Sequence, residues 1–206
     1  SDRSIGELLE GGVIILDKPS GPTSHQATAW VRDALKCDRV GHGGTLDPYV
    51  SGVLPITLGK AVRLTDVVLS SDKEYVCLMR LHADRPADRV TEVMSRFVGK
   101  IYQLPPVRSA VKRQLRIRTI RELEVLDIVG RDVLFRVACD AGTYVRTLCV
   151  DIGDLLGCGA NMVELRRTRS GKMTEGRANS LQDIRDAYVF WQQYGRGEWL
   201  RSMLLP

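Results

Sequence analysis

Three glycines in four residues, Gly41, Gly43 and Gly44, followed by Thr45-Leu46-Asp47-Pro48, make the segment that most constrains how this chain folds. Glycine permits positive φ and lets a ligand approach the backbone closely, and Pro48 pins the turn that follows. The segment is therefore a loop, and it carries two chemically active side chains, His42 and Asp47. The nearest other acids along the chain are Asp38 and Asp66, so Asp47 reads as a lone carboxylate. Taken alone, the segment suits an Asx-turn, with Asp47 bonding its own backbone two residues on, as well as it suits a reactive site.

The flanks say what presents this loop. Val13 to Leu16 is a short apolar run between Gly12 and Asp17-Lys18-Pro19, as expected of a buried strand feeding a turn. After Pro19, Gly21 and Pro22, Thr23 or Ser24 caps a helix whose apolar positions Ala27, Trp30, Val31, Ala34 and Leu35 share one face. Beyond the loop, Val53 to Leu58 reads as a strand whose Pro55 suggests an edge or an end, and Ala61, Leu64 and Val68 mark a second helix. Asp47 thus lies between a helix and a strand, where a rigid scaffold commonly presents catalytic groups.

Tyr75 to Leu81 is nearly continuous and β-prone, which predicts a central strand with both faces mostly covered. A helix from about Pro86 carries Val90, Val93, Met94, Phe97 and Val98 and ends at Gly99. Leu104-Pro105-Pro106 breaks the pattern. There follow Arg108, Lys112, Arg113, Arg116, Arg118 and Arg121, with only Glu122 to answer them locally; an ordinary solvated face and a phosphate-binding surface both fit. Leu123 to Val129 and Asp132 to Cys139 form a hairpin around Gly130-Arg131. Thr143 is placed to cap a helix with Val145, Leu148, Cys149, Ile152, Leu155 and Leu156 on its stripe and Gly157 at its end. Arg146, in the first turn, opposes the helix dipole, and pairing with a carboxylate would explain it. Met162 to Leu165 is a last short strand, and Arg166, Arg167, Arg169 and Lys172 make a second basic cluster. A C-terminal helix with Leu181, Ile184 and Tyr188 follows the Ser180 cap, while nothing in the first few residues looks like a packed element.

The 206 residues, 44% hydrophobic, suit one large domain or one domain with an appendage, with no repeat or linker dividing them. A net charge of +5 suggests an anionic partner. Five cysteines without a C-x-x-C pair point to neither a disulfide framework nor a zinc site, but to buried thiols in a reducing compartment. There is no apolar run long enough for a membrane span and no leader, so an intracellular protein is expected.

Four stretches together resemble pseudouridine synthases of the TruB class, and in the same order: Leu16-Asp17-Lys18-Pro19 with Gly21-Pro22-Thr23-Ser24, Gly41 to Pro48, Lys73-Glu74-Tyr75, and Gly142 to Leu148. The resemblance runs from about Gly12 to the end. Within the class, Gly-Gly-Thr-Leu-Asp-Pro and Pro105 to Arg113 are similar to the dyskerin-like enzymes of box H/ACA ribonucleoproteins, the archaeal form above all. The resemblance implies a mixed α/β (α+β) pseudouridine-synthase fold, with a largely antiparallel central sheet flanked by helices, over residues 1–206. The C-terminal PUA-type domain into which such proteins usually continue is not found in this chain.

The same resemblance implies isomerisation of uridine to pseudouridine in ribosomal or transfer RNA, without cofactor or metal. It implies Asp47 as the catalytic carboxylate, attacking ribose or uracil; Arg146 as its ion-pair partner; and Tyr75 stacking on the target base. His42 would sit where the flipped nucleotide leaves its helix, and Leu165 near the base. Lys18, on its own a plausible solvated turn residue, gains a structural or RNA-facing, substrate-binding role. Arg108, Lys112, Arg113, Arg116, Arg166 and Arg167 would contact RNA backbone. Guide RNA, target RNA and small accessory ribonucleoprotein subunits are the implied partners, in the cytoplasm of an archaeal cell and away from any membrane. The alternatives are a self-sufficient synthase reading a transfer RNA arm and a catalytically idle RNA-binding scaffold, though a pure binder has no use for Asp47, Tyr75 and Arg146 together.

Overall fold

The apolar run beginning at Val13 forms strand β1, Val13–Lys18, antiparallel to β3, Ser51–Leu58, with Ile14 opposite Ile56 and Leu16 opposite Leu54. Both are buried along nearly their whole length. They form the centre of one of two units into which the chain divides in this computed structural model, which describes residues 3–105 and 114–206. The first unit takes Ser1–Ser71 and Arg167–Pro206, the second Asp72–Arg166. The fold is mixed α/β: among the described residues there are ten strands, paired in a largely antiparallel way, and seven α-helices.

In the first unit, β3 also carries β2, Val40–His42, and β1 carries a short C-terminal strand, Leu204–Leu205. Pro55 therefore sits inside a strand with neighbours on both sides, not at the edge its residue type suggested. Its carbonyl accepts from Gly43 N–H at 2.9 Å, so its missing N–H faces that same side, where the β2 ladder has already ended at His42 opposite Ile56. Helix α2, Ser24–Leu35, starts with Thr23 as N-cap, its hydroxyl accepting from Gln26 N–H at 2.9 Å. It packs against α6, Leu181–Tyr194, which Ser180 caps as its sequence indicates. The region of Ala61 to Val68 is a 3-10 turn, Gly59–Leu64, running into a short helix, α3, Thr65–Leu69. The first residues are more ordered than their sequence suggested: Ser4 caps a helix, α1, Ile5–Leu9, that buries Ile5 and Leu8.

In the second unit, the strands run in the order β4, Lys73–Leu81; β7, Asp132–Cys139; β6, Arg116–Val129; β5, Gly99–Gln103. The alternation read on β7 holds, since Val133, Phe135, Val137 and Cys139 are all buried. On β4, however, only one face is well covered. Cys77, Met79 and Leu81 are buried while Glu74, Val76 and Leu78 stay half-exposed, so apolar composition alone overstated the burial. Helices α4, Ala87–Ser95, and α5, Val145–Leu156, pack on each other, α4 also on β6 and α5 on β4. Gly99 opens a strand where the sequence suggested only the end of a helix. Gly157, at φ 77°, terminates α5 as expected, but Leu155 on its stripe is exposed. The final short strand read at Met162 to Leu165 extends over Ala160–Ser170 as β8, and the division between the units falls within it.

Candidate active site

Asp47 is exposed at the head of a tight turn, and each residue around it is held from below. Val50 N–H donates to the Asp47 backbone carbonyl at 2.9 Å, which closes the turn through the main chain. The Asp47 side chain is left for other work, so the Asx-turn reading gives way. Ser24 Oγ donates to the Leu46 carbonyl and accepts from the Leu46 N–H, both at 2.7 Å and both buried. Gly21 N–H and Lys18 Nζ converge on the Pro48 carbonyl at 2.8 and 3.0 Å, and Ser20 Oγ donates to the Tyr49 carbonyl at 3.1 Å. The stretch from Lys18 to Ser24 is thus a cradle for Leu46 to Tyr49. Because Thr23 takes the helix cap, Ser24 is free for this clamp.

Lys18 is fully buried, and its ammonium donates to the carbonyls of Pro19 and Pro48 at 2.8 and 3.0 Å. Burial pushes its pKa below the usual lysine value, opposed by attraction to Asp47. A buried ammonium that donates to two backbone carbonyls braces the loop, which is the structural of the two roles expected for it and not the substrate-binding one. Arg167 is corrected likewise. It is 1% exposed, and it donates from Nε to Val53 O at 2.8 Å and from a terminal nitrogen to Gly44 O at 2.9 Å. Instead of gripping phosphate, it ties the glycine loop to β3. The glycines themselves serve packing more than ligand approach: a Cβ on Gly43 would collide with Val68, one on Gly41 would meet Thr57 and Thr65 at 2.9 Å, and only Gly44 has positive φ.

His42 ends β2, half-buried, and its Nδ1 is buried without a partner among the described residues. Burial first, then the positive fields of His25 and Arg167, hold its pKa below the ordinary value. A residue missed in the sequence completes this side of the site. Tyr49 donates its hydroxyl to Asp47 Oδ2 at 3.0 Å. Its signal was only that a phenol stands two residues after the acid.

In the second unit, the Gly142 to Leu148 stretch is braced in a comparable way. Thr143 does not cap α5: its hydroxyl donates to Asp140 Oδ1 and O at 2.8 and 2.9 Å, and Tyr144 is the N-cap residue. The buried Gln103 side chain donates to the Tyr144 carbonyl at 3.0 Å and accepts its N–H at 2.9 Å. Arg146, second in α5, is thereby presented on an exposed first turn. Tyr75 lies on β4 opposite Val137, half-exposed, and so is not a plain core aromatic; Leu165 is buried on β8.

The first basic run is thinner than its sequence implies. Arg116 is exposed at the start of β6, but Arg121 is paired with Asp72 at 2.7 Å, and the Arg118 guanidinium lies against Gly142, where a Cβ would meet it at 2.8 Å. Arg108, Lys112 and Arg113 lie outside the described residues. Arg166 is half-buried on β8.

Residues 32–145 match the TruB family pseudouridylate synthase N-terminal domain, more than half of the chain. The chain belongs to the TruB family of pseudouridine synthases. Residues 146–206 match the tRNA pseudouridylate synthase B C-terminal domain, and residues 1–28 the DKCLD (NUC011) domain. A probable tRNA pseudouridine synthase B of Methanothermobacter thermautotrophicus is 53% identical over 206 residues, all of this chain and 64% of that protein. Among solved structures, a Cbf5-Nop10-Gar1 complex contains a chain 53% identical, with a TM-score of 0.96 over 99% of this chain and 62% of that one. An H/ACA ribonucleoprotein bound to a substrate RNA containing 2′-deoxyuridine gives 49% identity and a TM-score of 0.92, again over 99% and 62%. This TruB-family chain thus spans less than two thirds of the relatives it matches. No helix among its described residues is long and apolar enough to cross a membrane.

Proposed function

We propose that this chain is the catalytic core of an RNA-guided synthase that isomerises uridine to pseudouridine. The observation carrying the proposal is an exposed carboxylate, Asp47, on a loop held by Lys18, Ser20, Gly21 and Ser24, in a chain about half identical to proteins solved within H/ACA assemblies. The reaction breaks the N1–C1′ bond of uridine, forms C5–C1′, and replaces the C5 proton by one on N1. Cleavage develops positive character on the sugar, which a fixed carboxylate stabilises or captures. An exposed acid suits a base turned out of a nucleic acid chain and brought to the protein. Tyr75 stacks on that base, Arg146 pairs with Asp47, and His42 faces the nucleotide's point of exit. Ribosomal RNA paired to a guide, held with small accessory proteins, is the substrate this reading favours, in the cytoplasm.

A second reading has specific support. The curated relatives are named probable tRNA pseudouridine synthase B, which fits direct action on transfer RNA. One experiment separates the two. The chain is mixed with tritiated target RNA, guide and accessory proteins are added stepwise, and release of the C5 proton is followed. Guide-dependent release, abolished by Asp47→Asn, is expected. Full site-selective release by the chain alone on free transfer RNA would establish the second reading. Turnover by the Asn variant would remove Asp47 from the chemistry altogether.

A further inference from the structure

We propose that Tyr49 is a positioning residue for Asp47, its phenol fixing the carboxylate in the attitude from which the reaction starts. This deepens the functional reading above and rests on it. The contact is a hydroxyl-to-carboxylate hydrogen bond of 3.0 Å between Tyr49 Oη and Asp47 Oδ2. Bonds to an ionised acceptor are stronger than neutral ones, so this contact selects a rotamer even at an exposed site. Two features make it more than a chance meeting of surface groups. The Tyr49 backbone is pinned from two directions, by the turn bond from Val50 N–H to Asp47 O at 2.9 Å and by Ser20 Oγ on the Tyr49 carbonyl at 3.1 Å. The ring therefore pivots from a fixed point. Asp47 in turn has an apolar residue on either side, the buried Leu46 and Pro48, neither of which offers its carboxylate a side-chain donor.

Without the phenol, Oδ2 of Asp47 loses a donor that holds it, and the exposed carboxylate must give up more rotational freedom when uridine arrives, whatever pairing Arg146 supplies. With it, Oδ2 is held and Oδ1 is presented to the substrate. Tyr49 touches Asp47 and acts through it; no contact of the phenol with uridine is needed.

The test uses the chain assembled with guide, target RNA and accessory proteins. Tyr49→Phe is expected to lower kcat about tenfold and leave KM within about twofold, because only the hydroxyl is lost. Tyr49→Leu should fall no further than the Phe variant. Separately, in protein labelled at tyrosine Cζ, Asp47→Asn should move the Tyr49 carbon resonance, a readout that needs no turnover. An unmoved resonance, wild-type kcat in the Phe variant, a loss confined to KM, or a Leu variant far worse than Phe would each overturn the proposal. Absence of turnover by the wild-type assembly is a different failure: it defeats the functional reading and takes this inference with it.

Discussion

Burial, His25 and Arg167 all oppose protonation of His42, whose folded pKa therefore lies below its ordinary value of 6.5. In the unfolded chain the ring takes up a proton near the ordinary value, so between the two pKa values the unfolded state binds more protons. Folding stability must then rise with pH through that window and be lost as pH falls through it. The expected outcome is that wild-type protein loses more folding free energy than His42→Asn when urea melts at about pH 7 and about pH 5 are compared. Equal losses in both proteins would assign the acid sensitivity to other groups. The same residue shows what single side chains disclosed in the sequence. That His42 and Asp47 flank the same glycine pair was legible from the feature that breaks regular structure; that His42 itself closes strand β2 was not, because its pairing opposite Ile56 joins residues distant in sequence. That Tyr49 bonds Asp47 was not, since nothing in spacing tells a phenol which way to turn.

Strands and loops explain why charge counting misled. The second basic cluster lies on β8 and beyond, and alternation along a strand sends successive side chains to opposite faces. Arg167 accordingly turns inward and bonds Gly44 and Val53, while its chain neighbour Arg166, on the opposite face, stays half-buried. Removing a buried cation that serves two carbonyls leaves both acceptors unpaired and opens a void. Arg167→Met is expected to destabilise the fold by about 3 kcal/mol and lower Tm accordingly. Arg116→Ala, on an exposed strand position, should leave Tm unchanged and weaken RNA binding. Calorimetry on the two variants checks the contrast; a stable Arg167→Met protein with impaired RNA binding would restore the phosphate-contact role. Elements with strong periodicity, α2, α4, α5, α6 and β7, were readable because their burial is one-sided. Short elements such as β2 and β5 were not, because their few residues become strands only through partners distant in sequence, as Tyr102 does opposite Ile117.

At the scale of the whole molecule, the chain covers 60–64% of the length of the curated relatives it matches and carries a net charge of +5. Its described cations are partly consumed internally: Lys18 and Arg167 are buried, and Arg121 is paired with Asp72. In the function proposed above, the cations left on the surface meet phosphates without reading bases, so that attraction to RNA is electrostatic and sequence-indifferent. In the guided reading, specificity comes from base pairing between guide and target, and this chain has no need to supply it. The chain alone is therefore expected to bind its target RNA and a scrambled RNA of equal length within about tenfold of each other. Both affinities should fall by about tenfold or more between about 50 and about 200 mM salt. Filter binding across that salt range measures both quantities at once. Strong preference for the target, persisting as salt rises, would mean that the protein itself reads bases, and the guide would then be dispensable.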